Sequence, residues 1–203
     1  QFAEHIVLGQ ILEPMVDTDK MGNVTPGLAE SWTFEDKGLT IKFKIRKDRV
    51  FSNGKKLEAK DIKYTIDRVI QKKSQSSNFL GSISSIEAPA SDALIIRLKE
   101  PNVSILKALS RDQAGVVPVD WSFDKDSSEP LVGSGPYRLL KKGANWNLEV
   151  NEKYPKAAAI SIREWQLVFF GDHDLNVPAV GLPDYVPGAT LSTKTGMQKV
   201  SGF

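Results

Sequence analysis

The chain has 203 residues, 40% hydrophobic and 26% charged, with a formal net charge of +2 and a mean hydropathy of −0.26. These figures exclude a disordered or fibrous chain and fit one large or two small globular domains, long enough to bury roughly 70% of the surface the unfolded form exposes. Cysteine is absent, which removes disulfide frameworks, thiolate zinc sites and thiol nucleophiles. No apolar run approaches the ~20 residues that span a bilayer, and Gln1–His5 has neither the basic start nor the following apolar block of a secretory signal. Lacking an initiator Met, the chain is expected to begin after processing or a cut upstream.

Val7, Leu8, Ile11, Leu12 and Met15 recur at spacings of three and four, which predicts a helix that Pro14 ends or kinks. Residues 17–23 read as a polar loop before the Pro26-Gly27 turn. From Leu39 to Arg46, Leu39, Ile41, Phe43 and Ile45 alternate with Thr40, Lys42, Lys44 and Arg46, the pattern of a strand with one wet face; Trp32–Phe34 supplies a hairpin partner. Asn53-Gly54 marks a turn. Ile62, Ile66, Val69 and Ile70 then predict a helix over Glu58–Lys73. Residues 74–78 form a polar break, Leu94–Leu98 reads as a strand, and a short helix over Val103–Ser110 is expected to bury Val103, Leu106 and Leu109 with Asn102 as its N-cap. Asp120–Glu129 reads as an acidic surface excursion. Further strands are predicted after Tyr137, over Trp146–Val150 and over Ile160–Phe170, the last with a phase switch that suggests a bulge or burial on both faces. Beyond Gly171, Pro and Gly crowd out any long periodic element, and no internal repeat is visible.

The chemistry-bearing candidates are few. Lys42 to Lys63 holds nine Lys or Arg against Asp48, Glu58 and Asp61, but the lysines occupy the solvent phase of a strand and lack interleaved aromatics, so a solvated face is favoured over nucleic acid. Gly133-Ser134-Gly135-Pro136 lacks the third glycine of a dinucleotide loop, loses a donor at Pro136 and runs on as strand. It is no nucleophile elbow either. His5 and His173 are the only imidazoles; Asp172-His173-Asp174 reads as a surface turn rather than a metal site, and Asp17 with Asp19 as loop solvation or an Asx turn. A Ser-His-Asp triad cannot be argued from sequence alone. Phe79, Trp121 and Tyr137 lie outside the alternating core phases, open either to packing or to a binding surface.

Taken in order, the punctuation resembles one family: the extracellular solute-binding proteins that deliver oligopeptides and dipeptides to ABC importers. The resemblance is carried by Ile11-Leu12-Glu13-Pro14-Met15-Val16-Asp17, Pro26-Gly27-Leu28-Ala29-Glu30-Ser31-Trp32, the strand Leu39–Arg46 with Lys47, the turn Phe51–Lys55, Ala59-Lys60-Asp61-Ile62 continuing to Tyr64-Thr65 and Arg68, and Gly133-Ser134-Gly135-Pro136-Tyr137-Arg138. Asn151-Glu152-Lys153-Tyr154 keeps part of a further block with Pro155 in place of its Trp, and Gly171–Leu175 is a loose version of another.

The resemblance implies an α/β fold of the periplasmic-binding-protein-like type II, peptide-binding class: a mixed sheet with flanking helices, incomplete here. It implies part of a first lobe over 1–25, a small α/β lobe over 26–132, a return segment to the first lobe over 133–203 with an irregular tail, and no counterpart of the closing third lobe, as in a fragment. Ligand contacts are carried over to Phe2, Ala3, Glu4, His5, Asn78, Phe79 and Tyr137. The expected partners are a peptide or other small solute and a membrane permease, with no nucleic acid, cofactor, metal or catalytic residue, in the periplasm or outside the cell, a lipid anchor remaining open. Alternatives are the same fold binding a metal chelate, sugar or opine, the sensing domain of a transcription regulator, or an unrelated hydrolase.

Overall fold

The computed structural model describes residues 2–71, 75–111, 114–121, 131–142, 145–168 and 190–193. Helix α1 (Phe2–Ile11) stops before Glu13-Pro14, as a proline that cannot continue the hydrogen-bond ladder requires. The expected polar loop over 17–23 is instead the tip of a short hairpin, β1 (Val16–Thr18) against β2 (Val24–Pro26). The Asp19 carboxylate accepts the Met21 and Asn23 amides, and Gly22 takes φ +80 to close the turn. Three residues a side are too few for alternation to show.

A second sheet has the order β3 (Ala29–Glu35), β4 (Thr40–Ile45), β6 (Ala93–Leu98), β5 (Ile83–Ala90), each pair antiparallel. The predicted hairpin pairs Trp32 with Phe43. Ile41, Phe43 and Ile45 face the core and Lys42 and Lys44 face water, but Leu39 is exposed while Thr40 is buried, its hydroxyl donating to Asp36 Oδ2 at 2.7 Å. Leu39 closes a 3₁₀ turn and precedes the pleated strand. Strand β5 has no expected counterpart. Its register slips between Ile83 and Ser85, so the core residues Ile83 and Ile86 fall three apart and break the period-two signal.

Helix α2 (Ala59–Gln71) covers this sheet with Ile62 and Ile66, and α3 (Ile105–Leu109) closes one end with Ile105, Leu106 and Leu109. Val103 lies outside α3 and is 79% exposed, against the expectation of burial. Ser104 holds the N-cap position, and Asn102 acts one step earlier by accepting the Ser104 amide at 3.0 Å. Together these elements bury one apolar cluster, drawn from Met15 to Val116.

The third sheet is antiparallel in the order β10 (Thr190–Thr193), β9 (Glu164–Val168), β8 (Asn145–Val150), β7 (Tyr137–Lys142). The strand expected from Ile160 begins at Glu164, because Ala157–Ala159 form a 3₁₀ turn whose Ala157 carbonyl accepts both the Ile160 amide and the Arg163 guanidinium. Ile11, Leu12, Val117, Tyr137, Leu148, Val150 and Ala157 form a second apolar cluster beside this sheet, with α1 packed over it through Val7 and Leu8. The expected excursion over 122–129, residues 169–170 and Asp172-His173-Asp174 lie outside the described residues.

Candidate functional site

The chain passes between the two clusters near Glu13-Pro14, at Val116-Val117 and near Leu131–Gly135, and the family-like residues Glu13, Asp61, Thr65 and Gly133 make contacts at these crossings. Helix α2 grips the second crossing with Asp61 and, one turn on, Tyr64 and Thr65. Asp61 Oδ1 accepts the Val119 amide at 2.9 Å while its Oδ2 accepts the Glu58 amide at the helix start. The Thr65 hydroxyl accepts the Val117 amide at 3.1 Å and lies 3.4 Å from its carbonyl, and the Tyr64 hydroxyl donates to the Trp121 carbonyl at 3.0 Å. Burial pushes the Asp61 carboxyl above its ordinary value, outweighing the two amide hydrogen bonds and the nearby Lys60 charge.

The glycine block serves backbone contact rather than anion binding. A Cβ at Gly133 would stand 2.1 Å from the Ile11 carbonyl oxygen, so only glycine permits this approach to the end of α1. The Gly133 carbonyl accepts the Ser52 amide at 2.8 Å, and Asn151, 1% exposed, donates from Nδ2 to the Gly135 carbonyl at 2.9 Å. Asn151 thereby ties the end of β8 to the glycine block, a role that its motif letters did not give.

Glu13 stands at the first crossing. Its Oε1 accepts Arg49 Nε at 3.3 Å, both side chains being 14% exposed, and its carbonyl accepts the Val116 amide at 3.0 Å. Burial raises its pKa above the ordinary carboxylate value, opposed by the Arg49 charge and by the Ser134 hydroxyl facing it.

The expected ligand residues fall in two places. Phe2, Ala3, Glu4 and His5 lie in the first turns of α1. Tyr137 opens β7 in the cluster that α1 covers; it is 6% exposed, donates to the Ile162 carbonyl at 2.9 Å and meets Trp165 edge-on at 6.2 Å. Asn78 and Phe79 are exposed on the 3₁₀ turn Gln75–Leu80 beside the other cluster, the Phe79 ring lying 3.8 Å from the Arg111 guanidinium carbon. A cavity of about 370 Å³ opens between the start of α2 and 118–120. It is walled by Phe51, Lys55, Lys60, Asp61, Val119 and Asp120, and none of the expected ligand residues lines it. Two of its lysines are paired, Lys55 with Asp120 and Lys60 with Glu58.

Within the basic stretch Lys42 pairs with Glu35 at 2.7 Å, Lys44 with Glu30 at 2.6 Å and Lys47 with Asp92 at 2.9 Å. Among the described residues no group of three His, Cys, Asp or Glu is arranged to hold a metal, and no helix is long and apolar enough to cross a membrane.

Residues 23–173 match the family of bacterial extracellular solute-binding proteins, family 5, over its middle region. The chain belongs to this family. As a family 5 chain it is 30% identical over 148 residues to a putative ABC transporter peptide-binding protein of Brucella ovis, covering 68% of this chain and 28% of that protein. It is 27% identical over 157 residues to the peptide transport periplasmic protein SapA of Salmonella typhimurium, covering 64% and 29% of the two. The fold is that of the type II periplasmic binding proteins: the binding protein AgaA of Agrobacterium tumefaciens R10, solved with agropinic acid, superposes with a TM-score of 0.72 at 22% identity, over 81% of this chain and 34% of its own. This family 5 chain thus spans under a third of the length of the curated relatives it matches.

Proposed function

We propose that the protein is the substrate-binding component of an ABC-type importer, capturing peptides outside the cytoplasmic membrane and delivering them to a membrane permease. The observation that carries this reading is the family match over 23–173 together with relatives named as peptide-binding and periplasmic. The activity is reversible capture without catalysis. A peptide gains affinity from main-chain hydrogen bonds and specificity from side-chain pockets, and closure of lobes about a hinge shifts the population toward the form a permease accepts. In this reading residues 1–25 and 133–203 contribute to one lobe and 26–132 form the small one. Phe2–His5 at the start of α1, with Tyr137 beneath the later turns of that helix, mark one ligand-facing region, and Asn78 with Phe79 mark the small lobe's contribution.

A thermal-shift screen on the longest product of the gene tests this reading, with di- to nonapeptides, nickel–histidine, sugars and opines as candidates. Peptides are expected to raise Tm in a concentration-dependent way. A rise with a chelate, sugar or opine and none with any peptide would replace the peptide assignment.

A further inference from the structure

Strand β3 is an edge of its sheet, bonded among the described residues to β4 alone. The Ile45 amide donates to the Asp92 carbonyl and the Leu98 amide to the Leu39 carbonyl, so the odd residues of β4 turn their backbone groups toward β6. Thr40, Lys42 and Lys44 therefore bond the other way, to Glu35, Thr33 and Ser31, which leaves the amides and carbonyls of Trp32 and Phe34 pointing out of the sheet. Among the described residues no other backbone reaches them. A register slip at Glu30 and the left-handed Asp36, φ 51, bound a regular stretch Ser31–Glu35 whose centre is Thr33. The opposite edge, β5, is blunted by Pro89 and by register slips, whereas Ser31–Glu35 holds no proline, glycine or lysine.

We propose that β3 pairs antiparallel with β3 of a second copy of this chain about a two-fold axis at Thr33, joining two four-stranded sheets into one. In this register Thr33 faces the partner's Thr33 and Trp32 faces the partner's Phe34, so each outward amide and carbonyl meets its complement. Both aromatic pairs lie on the core face, since Trp32 and Phe34 stand opposite the core residues Phe43 and Ile41. Phe34 is left 42% exposed there, and aromatic cross-strand pairs of this kind stabilise a sheet. The charges fit as well: Glu35, held by Lys42, falls opposite the partner's Ser31, and within the stretch no carboxylate faces another. An axis at Trp32 would set the slipped Glu30 against Phe34, and an axis at Phe34 would set Asp36 against Trp32. So short a stretch buries too little for a tight complex, and the dimer is weak and concentration-dependent. It needs no solute, so its failure leaves the transport reading untouched.

Cysteine cross-linking of the full chain, which has no cysteine of its own, tests the pairing. Thr33 bonds inward to β4, so it meets the partner's Thr33 as a non-hydrogen-bonded pair with Cα atoms about 4.5 Å apart, within disulfide reach. Thr33→Cys is therefore expected to give a disulfide-linked dimer under mild oxidation. Ser31→Cys and Glu35→Cys, also exposed and on the same face of the strand, hold their Cα atoms about 13 Å apart from copy to copy and are expected to give several-fold less. Phe34→Pro removes only an outward amide and is expected to lower the Thr33→Cys dimer to the level of those two, with the melting transition retained. A Thr33→Cys yield no greater than that of Ser31→Cys or Glu35→Cys overturns the proposal, and so does a dimer that survives Phe34→Pro. If Phe34→Pro does not fold, the ranking of the three cysteines decides alone.

Discussion

The Gly135 amide donates to the Ile11 carbonyl at 2.8 Å, and a Cβ added at Gly135 would stand 2.7 Å from that same oxygen. The hydrogen bond and the missing side chain are two aspects of one close approach, between the end of α1 and the start of β7. Gly135→Ala should cost about 3 kcal/mol, because backbone rather than a pliant side chain must give way. Urea unfolding of the variant checks this; a loss under about 1 kcal/mol would mean the approach is looser than described.

Asp61 is the pivot of the α2 clamp. Asp61→Asn leaves one of the Glu58 and Val119 amides facing an amide donor and should cost about 1–3 kcal/mol. Its carboxyl titrates higher when folded than when unfolded, so the stability it adds is present below the ordinary carboxylate range and is lost as pH rises through the folded value. The penalty of Asp61→Asn should therefore be larger near about pH 3.5 than near about pH 6.5, measured by denaturant unfolding at both.

The sheet-covering face of α2 and Val103, two residues ahead of α3, separate core from surface. Ile66→Ala, at a 1% exposed position, should cost about 2–5 kcal/mol. Val103→Ser, at 79% exposure, should stay within about 0.5 kcal/mol. Thermal melts of the two variants distinguish them directly.

Each lysine on the wet face of β4 has a carboxylate partner. Lys42→Gln and Lys44→Gln should each change stability by less than about 1 kcal/mol. Neither should alter retention on duplex DNA at physiological salt, which is expected to be negligible; tight, salt-sensitive retention abolished by both changes would revive the nucleic-acid reading.

Where one periodicity governed a segment, the sequence was legible. The β3–β4 hairpin follows from the alternation of Ile41, Phe43 and Ile45, and α2 from Ile62 and Ile66. Strand β5 was hidden because a register slip sets Ile83 and Ile86 three apart, and the β1–β2 hairpin because it is too short to alternate. Leu39 and Val103 are exposed since each precedes the regular element that its spacing seemed to extend. The crossings between the clusters show a different limit. Glu13, Asp61, Gly133 and Asn151 were visible as motif letters, but their work is done through contacts with backbone and side chains distant in sequence, such as Arg49 and Val119, which no local pattern encodes. Tyr137 was marked by its place beside the glycines, yet its hydrogen bond to the Ile162 carbonyl depends on how the loop before β9 returns.

Calorimetric titration of the longest gene product with short peptides, alongside nickel–histidine and an opine, tests the central claim most directly. Saturable binding of a peptide at micromolar or tighter Kd, with a negative heat-capacity change from apolar burial, is the predicted result. Saturable binding of the chelate or the opine with no heat from any peptide would contradict it.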